Sequence, residues 1–470
     1  MIDLSSLQPA LQSKFNTRSM GLKLIVVCGL AVIMTIPALF VWALVEDRTN
    51  RAAEVVKEIS DHVGGPQTFL GPVLAIPYSI PPRTALESTK HGVYLVFPAK
   101  ATAEVKTATE ERRRSLFKVP VFQSDLKLAG TFDLTGAPSA APQDAQFDWS
   151  RSEIVVGVSD ARGALADATI TTDGKTSTLV PAEISQNISF NGDQSSQLKL
   201  TLFGAKVEGI AKPNAQFGVT SALRFSGAQR IAVLAYGKTT HVAVRGDWPS
   251  PGFDGGFLPI ARTVSGNGFT AEWSVPFIAR GVRAEGSSDT ITGIDATALG
   301  VSFIEVADPY QSVNRSLKYL PLFLGLVFLS YFIFESTAGK RVHPAQYILV
   351  GIAQIIFYLL LLSLAERVGF GPGFLLAGAA TVILLSANAG WIFSSRVQGF
   401  RAFVIFSLLY VLIYLLLRLE DNALLVGAIA SFLAVAAAMY FTRGIDWYGS
   451  LPVKRVSADN MTPPVPGNSA

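Results

Sequence analysis

Five apolar runs crowd the C-terminal part of this chain, at residues 319–334, 347–365, 370–393, 402–417 and 423–441. Each approaches the roughly 20 residues that a helix needs to cross the hydrocarbon of a bilayer. A helix in a soluble bundle needs a polar face, and adjacent runs with so little polarity exclude that alternative. Two of them are short and bounded by charges, Lys318 with Glu335 and Arg401 with Arg418. Those long side chains can reach toward the headgroups and let the helices fit. A sixth run, residues 24–45, is free of charge and follows Lys14, Arg18 and Lys23. It is longer than a signal-peptide core, and Trp42-Ala43-Leu44 is a poor small-residue cleavage site, so it reads as an uncleaved anchor. A mean hydropathy of +0.38 with 16% charged residues agrees with a lipid environment.

Lysine and arginine in short loops are retained on the cytoplasmic side of a membrane. If the basic N-terminal tail (1–23) stays inside, Lys340 with Arg341 and Arg396 with Arg401 fall on the same side. So do Arg443, Lys454 and Arg455 of a second tail, 443–470. The opposite loops hold Glu366 with Arg367, and Arg418 with Glu420 and Asp421, where positive charge is offset. The expected topology has both termini inside, an anchor at 24–45, an outer region at 46–315 and a bundle at 316–442. The net charge of +4 is explained by this topology, and no nucleic-acid partner is expected.

The outer region opens with a helix-like stalk (46–62) and then takes on the texture of β-structure. Val93-Tyr94-Leu95-Val96-Phe97, Ile154-Val155-Val156-Gly157-Val158, Gln197-Leu198-Lys199-Leu200-Thr201-Leu202 and His241-Val242-Ala243-Val244-Arg245 are short β-branched or alternating runs between turn residues. Residues 262–275, around Gly266-Asn267-Gly268, and 300–306 continue the series, and 136–146 reads as a loop or module boundary. The fold class expected is membrane α+β: a transmembrane anchor, a β-rich, sandwich-like region long enough for two modules, and about five further transmembrane helices.

Several short motifs occur in order along the chain: Gly71-Pro72-Val73-Leu74-Ala75-Ile76-Pro77-Tyr78, Ser159-Asp160-Ala161-Arg162-Gly163, and Asp247-Trp248-Pro249-Ser250-Pro251-Gly252-Phe253 with Phe257-Leu258-Pro259. Further on come Lys318-Tyr319, Phe334-Glu335, His343-Pro344-Ala345-Gln346-Tyr347, the run 357–362, and Thr442-Arg443-Gly444-Ile445-Asp446-Trp447-Tyr448. Together they resemble the CreD family, inner-membrane proteins of Gram-negative bacteria associated with cell-envelope integrity. That resemblance implies an inner-membrane location, a periplasmic outer region, and a place in the envelope-stress output of a two-component system, linked to tolerance of colicins and β-lactams. It carries no catalytic residue. Ser250 and Gly252 stand where the family pattern has His and Ser, and Arg367 where it often has His, which argues against a catalytic histidine at either place.

Residues capable of chemistry have ordinary structural explanations. Ser124-Asp125-Leu126-Lys127 fits the Ser-x-x-Lys pattern of penicillin-binding enzymes, in which the serine opens a helix. Residues 119–132 alternate like a strand, which sends the two side chains to different faces. The partner motifs also fail, since Ala161 follows Ser159-Asp160, and Gly follows neither Lys175-Thr176 nor Lys238-Thr239. His62, His91, His241 and His343 lack the spacing of metal ligands, and the lone Cys28 excludes an intrachain disulfide. No cofactor or metal is therefore expected. Asp160 and Arg162, at a strand end, form either a loop-fixing ion pair, with Gly163 in a backbone geometry other residues resist, or a partner-binding rim. Trp248 and Phe253 either plug the core or present an aromatic surface.

No span carries a charge at its centre, whereas ion-coupled transporters keep such costly groups in the membrane. Gln354, Tyr358, Ser363, Ser386, Asn388, Ser407 and Tyr414 are expected to bond helix to helix, and Glu335, His343 and Glu366 to meet interface water. The function expected is envelope maintenance, through a periplasmic or lipid partner and without catalysis. The alternatives are a transporter or lipid-handling protein and an envelope-modifying enzyme.

Overall fold

A computed structural model describes residues 20–83, 87–114, 117–183, 199–207, 209–303, 309–338, 340, 342–418 and 423–443. Lys14, Arg18, Gln197, Leu198, Arg341, Glu420, Asp421, Lys454 and Arg455, residues 304–306 and the motif residues from Gly444 to Tyr448 lie outside these. The chain divides into two compact units, residues 50–306 and the segments on either side of them.

The helical unit begins with α1 (Met20–Ile33) and the first part of α2 (Thr35–Val63), whose residues from 50 onward belong to the β-rich unit. The break between them at Met34 precedes Pro37, which lacks the N–H that would bond back to Ile33. After the β-rich unit follow α3 (Pro309–Lys318), α4 (Leu320–Ala338), α5 (Pro344–Val368), α6 (Phe370–Phe393), α7 (Arg396–Arg418) and α8 (Ala423–Thr442). Among the described residues, five helical segments are long and apolar enough to cross a membrane: the α1–α2 segment and α4 to α7. The last of the five C-terminal runs, 423–441, falls in α8, whose described apolar stretch, Leu425–Tyr440, is shorter. Lipid tails are as apolar as leucine, so close packing rather than exclusion of water holds such helices together. The packing here is aromatic: the Tyr410 ring meets Phe323 edge-on at 4.8 Å and Phe357 at 5.0 Å, and Tyr331 stacks on Phe406 at 5.6 Å.

α3 was not foreseen as a helix. Its face of Tyr310, Val313, Ser316 and Leu317 is buried, while Gln311 and Lys318 are exposed, and it packs on α5 and α7. Spacings of three and four residues make it amphipathic, and Tyr310 donates to Glu366 at 3.0 Å.

In the β-rich unit, a ten-stranded sheet has the order Pro251–Gly255, Ala298–Phe303, Arg230–Leu234, Gln67–Ile80, Glu153–Val158, Thr201–Lys206 and Val180–Pro181, with three short strands branching from it. An eight-stranded sheet has the order Ala261–Ser265, Gly268–Val275, Thr239–Gly246, Lys100–Arg114, Phe117–Asp133, Gln216–Ala228, Thr169–Thr172 and Lys175–Thr178. The Gln67–Ile80 strand is buried from Gln67 to Ile76 and Glu153–Val158 throughout, the mark of strands covered on both faces. Lys100–Arg114 alternates, with Ala101, Ala103 and Val105 buried and Lys100, Glu104 and Lys106 exposed. Strands from both halves of the segment enter both sheets, and the two sheets share one hydrophobic core.

Candidate functional site

At the end of α2 the chain turns through Gly64 and Gly65, both at positive φ, a conformation glycine adopts without cost. It then enters the first long strand at Gln67, which is fully buried. The Gln67 amide Nε2 donates to the carbonyls of Gly64 at 2.8 Å and Asp160 at 3.0 Å. Ser226 Oγ donates to the Val63 carbonyl at 2.9 Å, and Ser159 Oγ to that of Pro66 at 3.1 Å. The Ser226 hydroxyl thus satisfies one carbonyl that the helix end leaves open, while the Gln67 amide and the Ser159 hydroxyl fix the turn that follows and tie it to Asp160.

Asp160 and Arg162 complete this knot. The Asp160 carboxylate accepts from the Arg162 backbone N–H at 2.9 Å, capping the turn Ala161–Gly163, and from Arg162 Nε at 3.0 Å and Nη2 at 2.6 Å. Arg162 Nη2 also lies 3.8 Å from Asp61 of α2. Hydrogen bonds from Arg162 hold the Asp160 carboxyl below its ordinary range, and Asp160 in turn raises the Arg162 guanidinium. The loop-fixing ion pair is therefore present, but the reason expected for Gly163 is corrected. Its φ is not positive; what demands glycine is space, because a Cβ would stand 2.4 Å from the Ser226 carbonyl and 2.6 Å from Gln67 Nε2.

Trp248 and Phe253 are half-buried. Trp248 meets Phe303 edge-on at 6.2 Å, while Phe253 meets Trp273 and Phe269, both at 6.1 Å, under the guanidinium of Arg262 at 5.7 Å. Both rings rest against the core cluster, with edges left at the surface. Ser124 is buried in the Phe117–Asp133 strand and donates to the Phe225 carbonyl at 3.0 Å, while Lys127 is exposed on the opposite face. His241 is exposed in the Thr239–Gly246 strand, and His343 caps α5, its Nδ1 accepting from the Ala345 N–H at 3.2 Å. Among the described residues, no three of His, Cys, Asp and Glu gather as a metal site would require.

Two charged residues in unexpected surroundings escaped sequence reasoning. Arg280, in the one-turn helix Phe277–Arg280, is 3% exposed, lies 4.1 Å above the Phe97 ring, and donates through Nε to the Ala235 carbonyl at 2.8 Å. Burial pushes its pKa down to about 10. Glu335, expected to meet interface water, is instead buried and contacts Lys23 of α1 directly. It also accepts from the Val342 N–H at 2.9 Å and the Tyr347 hydroxyl at 3.1 Å, while Lys23 donates to the Val342 carbonyl at 2.7 Å. The only sequence signal was an acid closing one apolar run and a lysine preceding another.

The polar groups inside the bundle divide. Tyr410 donates to Gln354 and Asn388 to Tyr331, each at 3.4 Å between helices. Ser386 instead bonds its own helix, at the Val382 carbonyl.

The family profile described as inner membrane protein CreD matches residues 19–448. Inner membrane protein CreD of Escherichia coli (strain K12) is 29% identical over 446 residues, which cover 92% of this chain and 95% of that protein. The match runs from α1 past α8, so it embraces the spans and the β-rich unit together. With its several candidate spans, this chain is a multi-pass inner-membrane protein and belongs to the CreD family.

Proposed function

We propose that this protein maintains the cell envelope as part of a stress response, by binding a periplasmic or lipid partner without chemical turnover. One observation carries the reading: the side chains best suited to chemistry are spent on holding the fold. Ser124 secures a neighbouring strand, Asp160 and Arg162 tie the end of α2, and Glu335 is matched by Lys23. The candidate partner surface comprises Arg162 with its ion-pair partner Asp160, and the half-buried Trp248 and Phe253. The test uses full-length protein in proteoliposomes with labelled lipid-linked cell-wall precursors. Retention without conversion is the expected result; conversion of the label overturns the reading in favour of an enzyme, and movement of label across the bilayer in favour of a transporter.

The reading also places both termini in the cytoplasm and the β-rich unit in the periplasm, on the strength of the basic residues Lys340, Arg396 and Arg401. Because Cys28 is the chain's one cysteine, a Cys28→Ser background gives a clean topology test. Asp173→Cys, in an exposed turn, is expected to react with a membrane-impermeant maleimide from the periplasmic side. Labelling of that position from the cytoplasm alone refutes the orientation.

A further inference from the structure

The Arg396–Arg418 helix and its neighbour α6 enclose a cavity of about 680 Å³, within the roughly 300–1,000 Å³ of small-molecule sites. Its floor includes the buried Val382 and Tyr410, and its walls the exposed Leu375, Phe403 and Val411. At its polar end stand Gly371, Tyr414 and Arg418. Ile383 and Phe403 also line a second cavity of about 550 Å³ that reaches Arg396. The two form one furrow along a helix of 23 residues, whose length of about 35 Å is close to the hydrocarbon thickness of a bilayer.

We infer that this furrow holds a phospholipid of the surrounding bilayer, with an acyl chain along the apolar floor and the phosphate on Arg418. The assignment rests on the reading of α6 and α7 as membrane spans and deepens the lipid part of the proposed function. Width favours an acyl chain over another helix. α6 and α7 approach so closely that a Cβ on Gly399 would lie 3.3 Å from the Gly390 Cα, and one on Gly378 3.1 Å from the Tyr410 ring. No helix, about 10 Å across with its side chains, can enter between elements that touch in this way.

Charge favours the same occupant. The Tyr414 hydroxyl accepts from Arg418 Nε at 3.2 Å and Nη2 at 3.1 Å. This steadies the guanidinium and leaves the rest of its fork for a second acceptor. Phosphate suits that planar fork, and an apolar helix laid across the mouth would cover a cation without neutralising it. A Cβ on Gly371 would lie 3.8 Å from Arg418 Nη2, so the guanidinium stands beside the first turn of α6, whose N-terminal dipole adds potential of the same sign. Glu420 and Asp421 follow in the sequence, outside the described residues.

The test places a photo-crosslinking benzoylphenylalanine at Val411 of the full-length protein in native membranes, with mass analysis of the adduct. A phospholipid adduct is expected; an adduct with a second copy, or with any other protein, overturns the inference. Independently, Arg418→Gln is expected to lower the phospholipid retained through detergent delipidation at least five-fold by native mass spectrometry. Arg401→Gln, on the same helix but off the furrow, leaves it unchanged. Equal retention in the two variants also overturns it. Precursor turnover would refute the non-catalytic reading while leaving the adduct intact, so the two failures are separable.

Discussion

Replacing Lys23 by methionine is expected to cost about 3–5 kcal/mol of stability, because it strands a buried carboxylate. The Glu335 side chain is 2% exposed, and after the substitution the donors left to it among the described residues would be the Val342 N–H and the Tyr347 hydroxyl. Neither supplies charge. The paired variant Lys23→Met with Glu335→Leu removes both ions and is expected to recover most of the loss, since a well-packed apolar pair often matches a buried ion pair in stability. Chemical unfolding of the full-length protein in detergent measures both. A loss below about 1 kcal/mol in the single variant would mean that the contact is worth no more than an exposed bridge.

That network marks where the sequence stops being informative. The spans were legible because a bilayer imposes one demand, length of apolar run, and the residues meeting it are contiguous. The β-texture of residues 262–275 around Gly266-Asn267-Gly268 was legible for a similar reason, its cues being local, and it is now seen as the paired strands Ala261–Ser265 and Gly268–Val275. Ser124 and Lys127 could be assigned to opposite faces from the alternation around them alone. Lys23 and Glu335 are 312 residues apart, and nothing local to either announces the other. Gln67 was equally silent, since its worth lies in carbonyls contributed by Gly64, Asp160 and Ser226. The helix α3 was missed although Tyr310, Val313 and Leu317 recur at helical spacing, because ten residues rich in Gln, Asn, Arg and Lys are short and polar beside the spans that follow. In the loop from Ser159 to Gly163, the bond between Asp160 and Arg162 followed from their spacing, but the approach of Arg162 to Asp61 of α2 did not.

Gly163→Ala is expected to cost about 3 kcal/mol, far more than a single methyl group in a surface turn ordinarily does. Its Cβ would meet the Ser226 backbone carbonyl and the Gln67 amide, and neither is the free end of a flexible chain. Overpacking of this kind costs roughly 1–3 kcal/mol, and displacing Gln67 endangers hydrogen bonds worth about 1 kcal/mol each to carbonyls that have lost their water. The neighbouring Arg162→Ala provides the contrast. Its side chain is 63% exposed, and an exposed ion pair contributes at most about 1 kcal/mol. Denaturant unfolding of full-length protein, followed by the fluorescence of the tryptophans in the β-rich unit, compares the two. Near-equal, small losses would show that the Gln216–Ala228 strand and Gln67 yield easily. The end of α2 would then be held by the exposed ion pair and ordinary turn contacts, and the buried amide could no longer explain why glycine stands at this position.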